Sequence, residues 1–486
     1  MTDALKRYFA PLAWVNSTGA NSTGANGKGA SGAWASGAWA NDVLLSVAGD
    51  GTWAGIEANA SVAQQRGATC LSGPVIPGLV NAHSHAFQRA IAGMTERTGK
   101  AEGRGQDNFW SWRDRMYSAA QRITPEQLEA VAALLYAELL QAGYSHVCEF
   151  HYLHNDLQGE PYADPLEMSC ALVRAAQRVG IGITLLPTLY MRSGFAATGL
   201  RDDQQRFRST PESIFKVCEG IERQFGRGLV NTGIALHSLR AVGQAALLEA
   251  AAYAKARGMP VHIHVAEQTG EVADCISTLG QRPVDWLLQH ANLDASWNLV
   301  HATHTTLAEL QGVKASGASI VLCPTTEANL GDGVFDLPTY AKLQGRWSIG
   351  SDSQVTRSWQ EELRLLEYSQ RLALRQRNVM AGACGESSTA AALFNAAING
   401  GGAATGRRME GLAVGSRADF AVLDATAPAL LGVPDEHLLD ALVFISPDAR
   451  FSDVYVAGNA VVKAGRAANW QGIANDFSRV MQAIWI

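Results

Sequence analysis

The sequence predicts an α/β chain: a (β/α)8 barrel of the TIM type with a small β-rich domain built from both chain ends. Three observations predict it. From Val75 onward short apolar runs alternate with Ala- and Leu-rich helical stretches. Several of those runs end in His or lead directly into Asp, where barrel enzymes place their chemistry. Strand-like segments also lie at both ends of the chain, outside the repeating part. A length of 486 residues suits one large barrel with a satellite better than one small core.

Taken in order, the N-terminal part offers strands at 8–15 and 43–47. Between them, 16–40 reads as five pentapeptides, NSTGA twice, NGKGA, then SGAWA twice, too small and repetitive to build a core. It is expected to decorate a hairpin as an inserted or disordered loop, with no role for Trp34 or Trp39. Eight barrel strands are expected at 75–80, 146–150, 181–186, 233–237, 260–264, 297–301, 319–323 and 347–350, with helices at 125–142, 165–179 and 245–257 among the connections. After about Gly402 the pattern turns β-rich, with strands at 418–423, 442–445, 454–456 and 460–463. The domains expected are therefore 1–76 with 405–486, flanking a barrel of 77–404.

Composition narrows the function. A net charge of −6 with 17% charged residues marks no surface for nucleic acid. No uncharged apolar run approaches the roughly 20 residues of a membrane span. Met1 to Arg7 carries no secretory signal pattern, and a soluble cytoplasmic enzyme with a small-molecule substrate is expected. The seven cysteines are scattered and never form Cys-x-x-Cys, which argues against disulfides, structural zinc and a cysteine nucleophile.

The chemistry concentrates in His83-Ser84-His85, directly after an apolar run. Residues two apart in an extended segment project the same way, so both imidazoles can reach one ion. Other runs deliver His264, Glu267, His301 and Asp352 to strand ends, where they converge on one barrel mouth. Imidazole and carboxylate donors without thiolate favour zinc and leave iron and manganese open.

These segments, PVIPGLVNAHSH at 74–85, HIHVAE at 262–267, HATH at 301–304 and GSDS at 350–353, resemble the deaminase-like branch of the amidohydrolase superfamily over nearly the whole chain. The resemblance implies one divalent ion, zinc by preference, held by His83, His85, His264 and Asp352. It makes Glu267, His301 and Asp352 catalytic. The binuclear branch carries a bridging lysine at the end of the fourth strand; here that strand ends in Leu236-His237, which implies a single ion. Closer resemblance, in HSHAFQRA at 83–90, FWSWR at 109–113, EFHY at 149–152, HSLRAV at 237–242 and TEANLGDG at 326–333, is to members that deiminate N-formimino-L-glutamate in histidine degradation. It implies substrate binding by Gln88, Arg113, Tyr152, His237 and Arg240. Two carboxylates on that substrate suit arginine forks, whereas the alternative, a purine or pterin ring, calls for stacking aromatics. A catalytically dead barrel is disfavoured because no ligand position is lost. A homodimer is expected, and Gln354 departs from the histidine expected in close relatives.

Overall fold

The computed structural model describes residues 5–16, 37–97, 109–226, 228–445 and 450–485. Its centre is a parallel sheet of eight strands in sequence order: β1 (Leu79–Ser84), β2 (Tyr144–His151), β3 (Gly182–Leu189), β4 (Ile234–Ser238), β5 (Val261–Val265), β6 (Trp297–His301), β7 (Ser319–Leu322) and β8 (Arg346–Ile349). A short strand, Val230–Thr232, pairs on β3. The sheet curls until β8 meets β1, where the Asp352 N–H donates to the His83 carbonyl at 3.0 Å and the His85 N–H donates to the Asp352 carbonyl at 3.2 Å. Gly350 permits that approach, because a Cβ there would lie 2.6 Å from the His83 Cβ and 2.8 Å from its backbone nitrogen.

Helices cover the barrel. Pro125–Gln141, which follows β1, starts from a capping box in which the Thr124 hydroxyl accepts from the Gln127 N–H and the Gln127 side chain accepts from the Thr124 N–H. Its Ala- and Leu-rich faces are buried almost throughout, as expected of a helix between a sheet and a second layer.

Both chain ends do build one sheet. Its strands run Arg466–Ala467, Asn459–Lys463, Phe451–Val456, Phe420–Leu423, Val75–Pro77, Lys6–Asn16, Gly37–Val47 and Trp53–Glu57, with Thr69–Cys70 beside Lys6–Asn16. Tyr8, Val43, Leu45, Trp53, Val75, Phe420 and Val422 form its buried core. Lys6–Asn16 and Gly37–Val47 pair antiparallel with Asn16 opposite Gly37, so the repeat sits at a hairpin as expected. Its residues 17–36, Trp34 among them, lie outside the described residues; Trp39 packs edge-to-face on Trp14 at 5.2 Å.

Three expectations are corrected. The run at 75–80 is not one barrel strand: Val75–Pro77 pairs in the flanking sheet, and the barrel begins at Leu79. Gly78 is the junction, packed so tightly that a Cβ would meet the Ser145 hydroxyl at 2.7 Å. The expected strand at 442–445 belongs to a helix, Leu438–Phe444, whose Leu438, Leu439, Leu442 and Val443 share one buried face; a short apolar run does not distinguish the two states. The tail also ends in a helix, Trp470–Trp485, which packs against the barrel helix Pro125–Gln141 and buries Ile473 and Ile484.

Gly350→Ala is expected to destabilise the fold by about 1–3 kcal/mol through overpacking at the closure, lowering the thermal unfolding midpoint. An unchanged midpoint would show that the strands close without this contact.

Candidate metal-dependent active site

The closure that completes the barrel also brings the predicted ligands together. His83 lies near the end of β1 and His85 directly after it, and Asp352 lies in the turn after β8, paired to them through the backbone. Side chains reinforce the seam. Asn81 Nδ2 donates to Ser351 Oγ at 2.7 Å, and the Ser351 N–H donates to Asn81 Oδ1 at 2.9 Å. Gln354 Nε2 donates to the Asp352 carbonyl at 2.6 Å and to Ser84 Oγ at 3.1 Å. Gln354 thus touches the main chain of Asp352 and stays out of the cavity lining, a supporting place for the departure noted in the sequence.

His83, His85 and His264 are buried, with ring nitrogens grouped within 4.8 Å. The His85 Nδ1 donates to the Phe150 carbonyl at 2.8 Å and the His264 Nδ1 to the His237 carbonyl at 2.9 Å. A carbonyl only accepts, so the Nε2 of each ring carries the free lone pair. The His264 and His83 Nε2 atoms lie 3.0 Å apart, and Asp352 Oδ1 lies 3.4 Å from the Nε2 of both His83 and His85. Donors about 2.0–2.1 Å from one ion fall at about these separations, so the set fits a divalent cation. Burial lowers His83 to about 3 and His85 and His264 below their ordinary value, leaving neutral rings, the form that ligates. Burial pushes the Asp352 carboxyl up, but its histidine neighbours, the charged His301 among them, outweigh it and hold its pKa below the usual carboxylate range. The close His–Asp contacts set four donors where one ion could be held. The His83 Nδ1 is buried without a hydrogen-bond partner.

The other oxygen of Asp352, Oδ2, lies 3.9 Å from His301 Nε2, which in turn lies 3.8 Å from Glu267 Oε1. Burial raises Glu267 to about 7. Burial works against a charge on His301, but Glu267, Glu327 and Asp352 raise it to about 10. His301 and Asp352 have left-handed backbones, as do Ala266 and Ala302 beside them, a costly conformation that persists where surroundings enforce it.

Some of that enforcement comes from residues to which sequence reasoning gave no role. Glu327 Oε1 accepts from the Cys323 N–H at 2.9 Å and contacts His301 Nδ1 at 3.3 Å. Glu149 accepts from Ser84 Oγ at 2.9 Å and the Ala86 N–H at 2.6 Å. Glu271 accepts from the N–H groups of Ala266 and Glu267 at 3.3 and 3.1 Å. Glu149 and Glu327 stood inside quoted motifs; the spacing of Glu271 four residues after Glu267 was the available signal. Cys323 clusters with His301 and Asp352, and burial pushes its thiol far up, making it a neutral neighbour.

His85, His264, Glu267, His301 and Asp352 form the floor of one cavity. All five residues expected to bind substrate line it: Gln88, Arg113, Tyr152, His237 and Arg240. Gln88 Nε2 donates to the Tyr152 hydroxyl at 3.1 Å, and the Gln88 Oε1 has no partner. The Arg113 and Arg240 guanidiniums lie 4.5 and 5.6 Å from the Trp110 ring, and the Nε of each is buried without a hydrogen-bond acceptor. Arg192 donates to the carbonyls of Arg240 and Leu239 at 3.0 and 2.8 Å, fixing the loop that carries Arg240. Burial and Arg240 hold His237 neutral. The lining is more aromatic than the sequence implied, since Phe109, Trp112, Tyr117 and Tyr190 join it.

The sequence and the fold have known counterparts. A chain 43% identical over 442 residues, covering 90% of this chain and 95% of its own length, is the formimidoylglutamate deiminase of Pseudomonas aeruginosa. The crystal structure of an amidohydrolase from Brucella melitensis superposes with a TM-score of 0.88 at 39% identity, over 99% of this chain and all of that one. An adenosine deaminase from Xanthomonas campestris with bound zinc shares the fold, with a TM-score of 0.76 at 20% identity over 98% of both chains. The amidohydrolase family profile matches residues 75–461, and the chain belongs to that family.

Proposed function

We propose that this enzyme hydrolyses N-formimino-L-glutamate to N-formyl-L-glutamate and ammonia. The observation that carries the reading is one cavity holding a neutral three-histidine, one-carboxylate cluster at its floor and two guanidiniums with unused donors above it. A small amidine head with two carboxylates matches that division, and the Pseudomonas aeruginosa relative bears the name of this activity. The aromatic rings do not favour a flat heterocycle: Trp110 faces the two arginines, and the phenols of Tyr117 and Tyr190 bond each other.

In this reading His83, His85, His264 and Asp352 hold one divalent ion, zinc by its nitrogen and oxygen donors, which when bound supplies Lewis-acid polarisation and makes water more acidic. Asp352 divides its work between its oxygens. Oδ1 faces the histidine ligands, while Oδ2, towards His301, takes the proton of the attacking water. His301, braced by Glu327, orients that water by a hydrogen bond to its oxygen. The water oxygen adds to the formimino carbon. With the formimino group entering as the amidinium, the adduct's terminal nitrogen is an amine. Glu267, a carboxyl that burial keeps partly protonated near neutrality, gives its proton to that amine, the C–N bond breaks and ammonia leaves. The adduct's hydroxyl proton passes back to Glu267 as the carbonyl forms, while the first water proton departs from Asp352. Arg240 and Arg113 bind the carboxylates by paired hydrogen bonds, while Gln88, Tyr152 and His237 position the head. A homodimer and a cytoplasmic setting complete the proposal, supported by the family resemblance.

Asp352→Asn is expected to abolish nearly all turnover, with N-formyl-L-glutamate followed by proton NMR; turnover within tenfold of the parent would remove Asp352 from proton transfer. Arg240→Ala is expected to raise KM far more than it lowers kcat, and an unchanged KM would exclude the carboxylate contact. His264→Ala is expected to lower bound metal, read by elemental analysis, well below one equivalent, and full retention would contradict the ligand set.

A further inference from the structure

The cavity contains a hydrogen-bond donor that the reading above does not use. Tyr117 and Tyr190 are both 4% exposed, line the cavity, and set their hydroxyl oxygens 3.1 Å apart. Gln204 lies behind them, fully buried, and its Nε2 donates to Tyr117 at 3.2 Å and to Tyr190 at 3.1 Å. The amide orientation is fixed, because Gln204 Oε1 accepts the Arg201 N–H at 3.1 Å and so turns the nitrogen towards the phenols.

Counting protons gives the consequence. Gln204 Nε2 offers its hydrogens towards both phenol oxygens. Each phenol still has one proton to donate. One of the two protons fills the gap between the hydroxyls; the other has no protein acceptor among the described residues. Buried hydroxyls rarely go without an acceptor, and both tyrosines line the cavity. Burial raises the Tyr190 phenol well above its ordinary range, so its proton is present at neutral pH. The surroundings are cationic: Arg113 lies 5.4 Å from the Tyr117 ring, and both Arg113 and Arg240 act electrostatically on Tyr190. A spare O–H beside two guanidiniums recognises an anionic oxygen.

We propose that Tyr117 and Tyr190, clamped by Gln204, form a substrate-binding pair that donates one hydrogen bond to a carboxylate of the substrate and so helps select dicarboxylates. The assignment rests on the deimination reading. The pair shares its donor: whichever phenol faces the carboxylate, the other orients it, and loss of one lets the second turn towards the substrate with poorer aim. Each single Phe variant therefore loses less than the double variant.

The test is steady-state kinetics of the metal-loaded protein and its Tyr117→Phe/Tyr190→Phe variant. The substrates are N-formimino-L-glutamate and two analogues lacking one carboxylate each, N-formimino-L-norvaline and 4-formiminoaminobutyrate. The double variant is expected to raise KM for N-formimino-L-glutamate roughly ten- to a hundredfold, the range of a hydrogen bond to a charged group, with a smaller change in kcat. For the analogue missing the recognised carboxylate, KM should stay the same. A merely structural role would weaken all three substrates alike, and that result overturns the assignment, as does an unchanged KM for N-formimino-L-glutamate. Parent protein that releases no ammonia from N-formimino-L-glutamate overturns the deimination reading, and this one with it; an active parent beside an indifferent double variant overturns this one alone.

Discussion

Two backbone hydrogen bonds between Asp352 and the His83–His85 segment tie the end of the barrel to its beginning. Closing a parallel sheet satisfies strand edges that would otherwise be exposed, and here the closing residues are also the ones that converge at the mouth. The constraint runs both ways. The placement of the candidate ligands follows from the register of the seam, and the seam closes this tightly because Gly350 has no side chain to meet His83. The remaining barrel strands then deliver His237, His264 and His301 at their C-terminal ends to a point already defined by β1 and β8.

Around that point, buried carboxylates secure the turns. Glu149 holds the segment after His83, Glu271 the segment carrying Glu267, and Glu327 the ring of His301. Glu362 continues the pattern by accepting the N–H and hydroxyl of Thr325, in the helix that carries Glu327. A buried carboxylate that satisfies two donors costs less than an unpaired one, and it restrains the donors' backbone in return. Such restraint matters where Ala266, His301 and Asp352 occupy left-handed conformations that free chains avoid. Positioning residues thus sit one layer below the reactive groups.

Much of this was legible in the sequence because barrel chemistry follows a positional rule. An apolar run ending in histidine places that histidine at the mouth, so His83, His264 and His301 could be located without contacts. The split flanking sheet was legible for a similar reason, since strand patterns without helices between them occurred at the two ends. Less legible was anything decided by packing between distant segments. The apolar run across Gly78 reads as one strand, yet neighbours from different sheets claim its halves. Leu438–Phe444 is too short for its periodicity to declare itself, and Trp470–Trp485 follows turns and strands that set a β expectation. Tyr117, Tyr190 and Gln204 acquire meaning only through partners that spacing alone does not reveal.

The central claim is that a metal-dependent site of this fold serves a linear amidine with two carboxylates. The most direct measurement is ammonia release by the metal-stripped and the zinc-reloaded protein, each given N-formimino-L-glutamate and, separately, adenosine. The account predicts release from N-formimino-L-glutamate that vanishes on stripping and returns with zinc, and none from adenosine. Turnover of adenosine with none of N-formimino-L-glutamate would contradict it, leaving the metal site in place and the substrate misassigned.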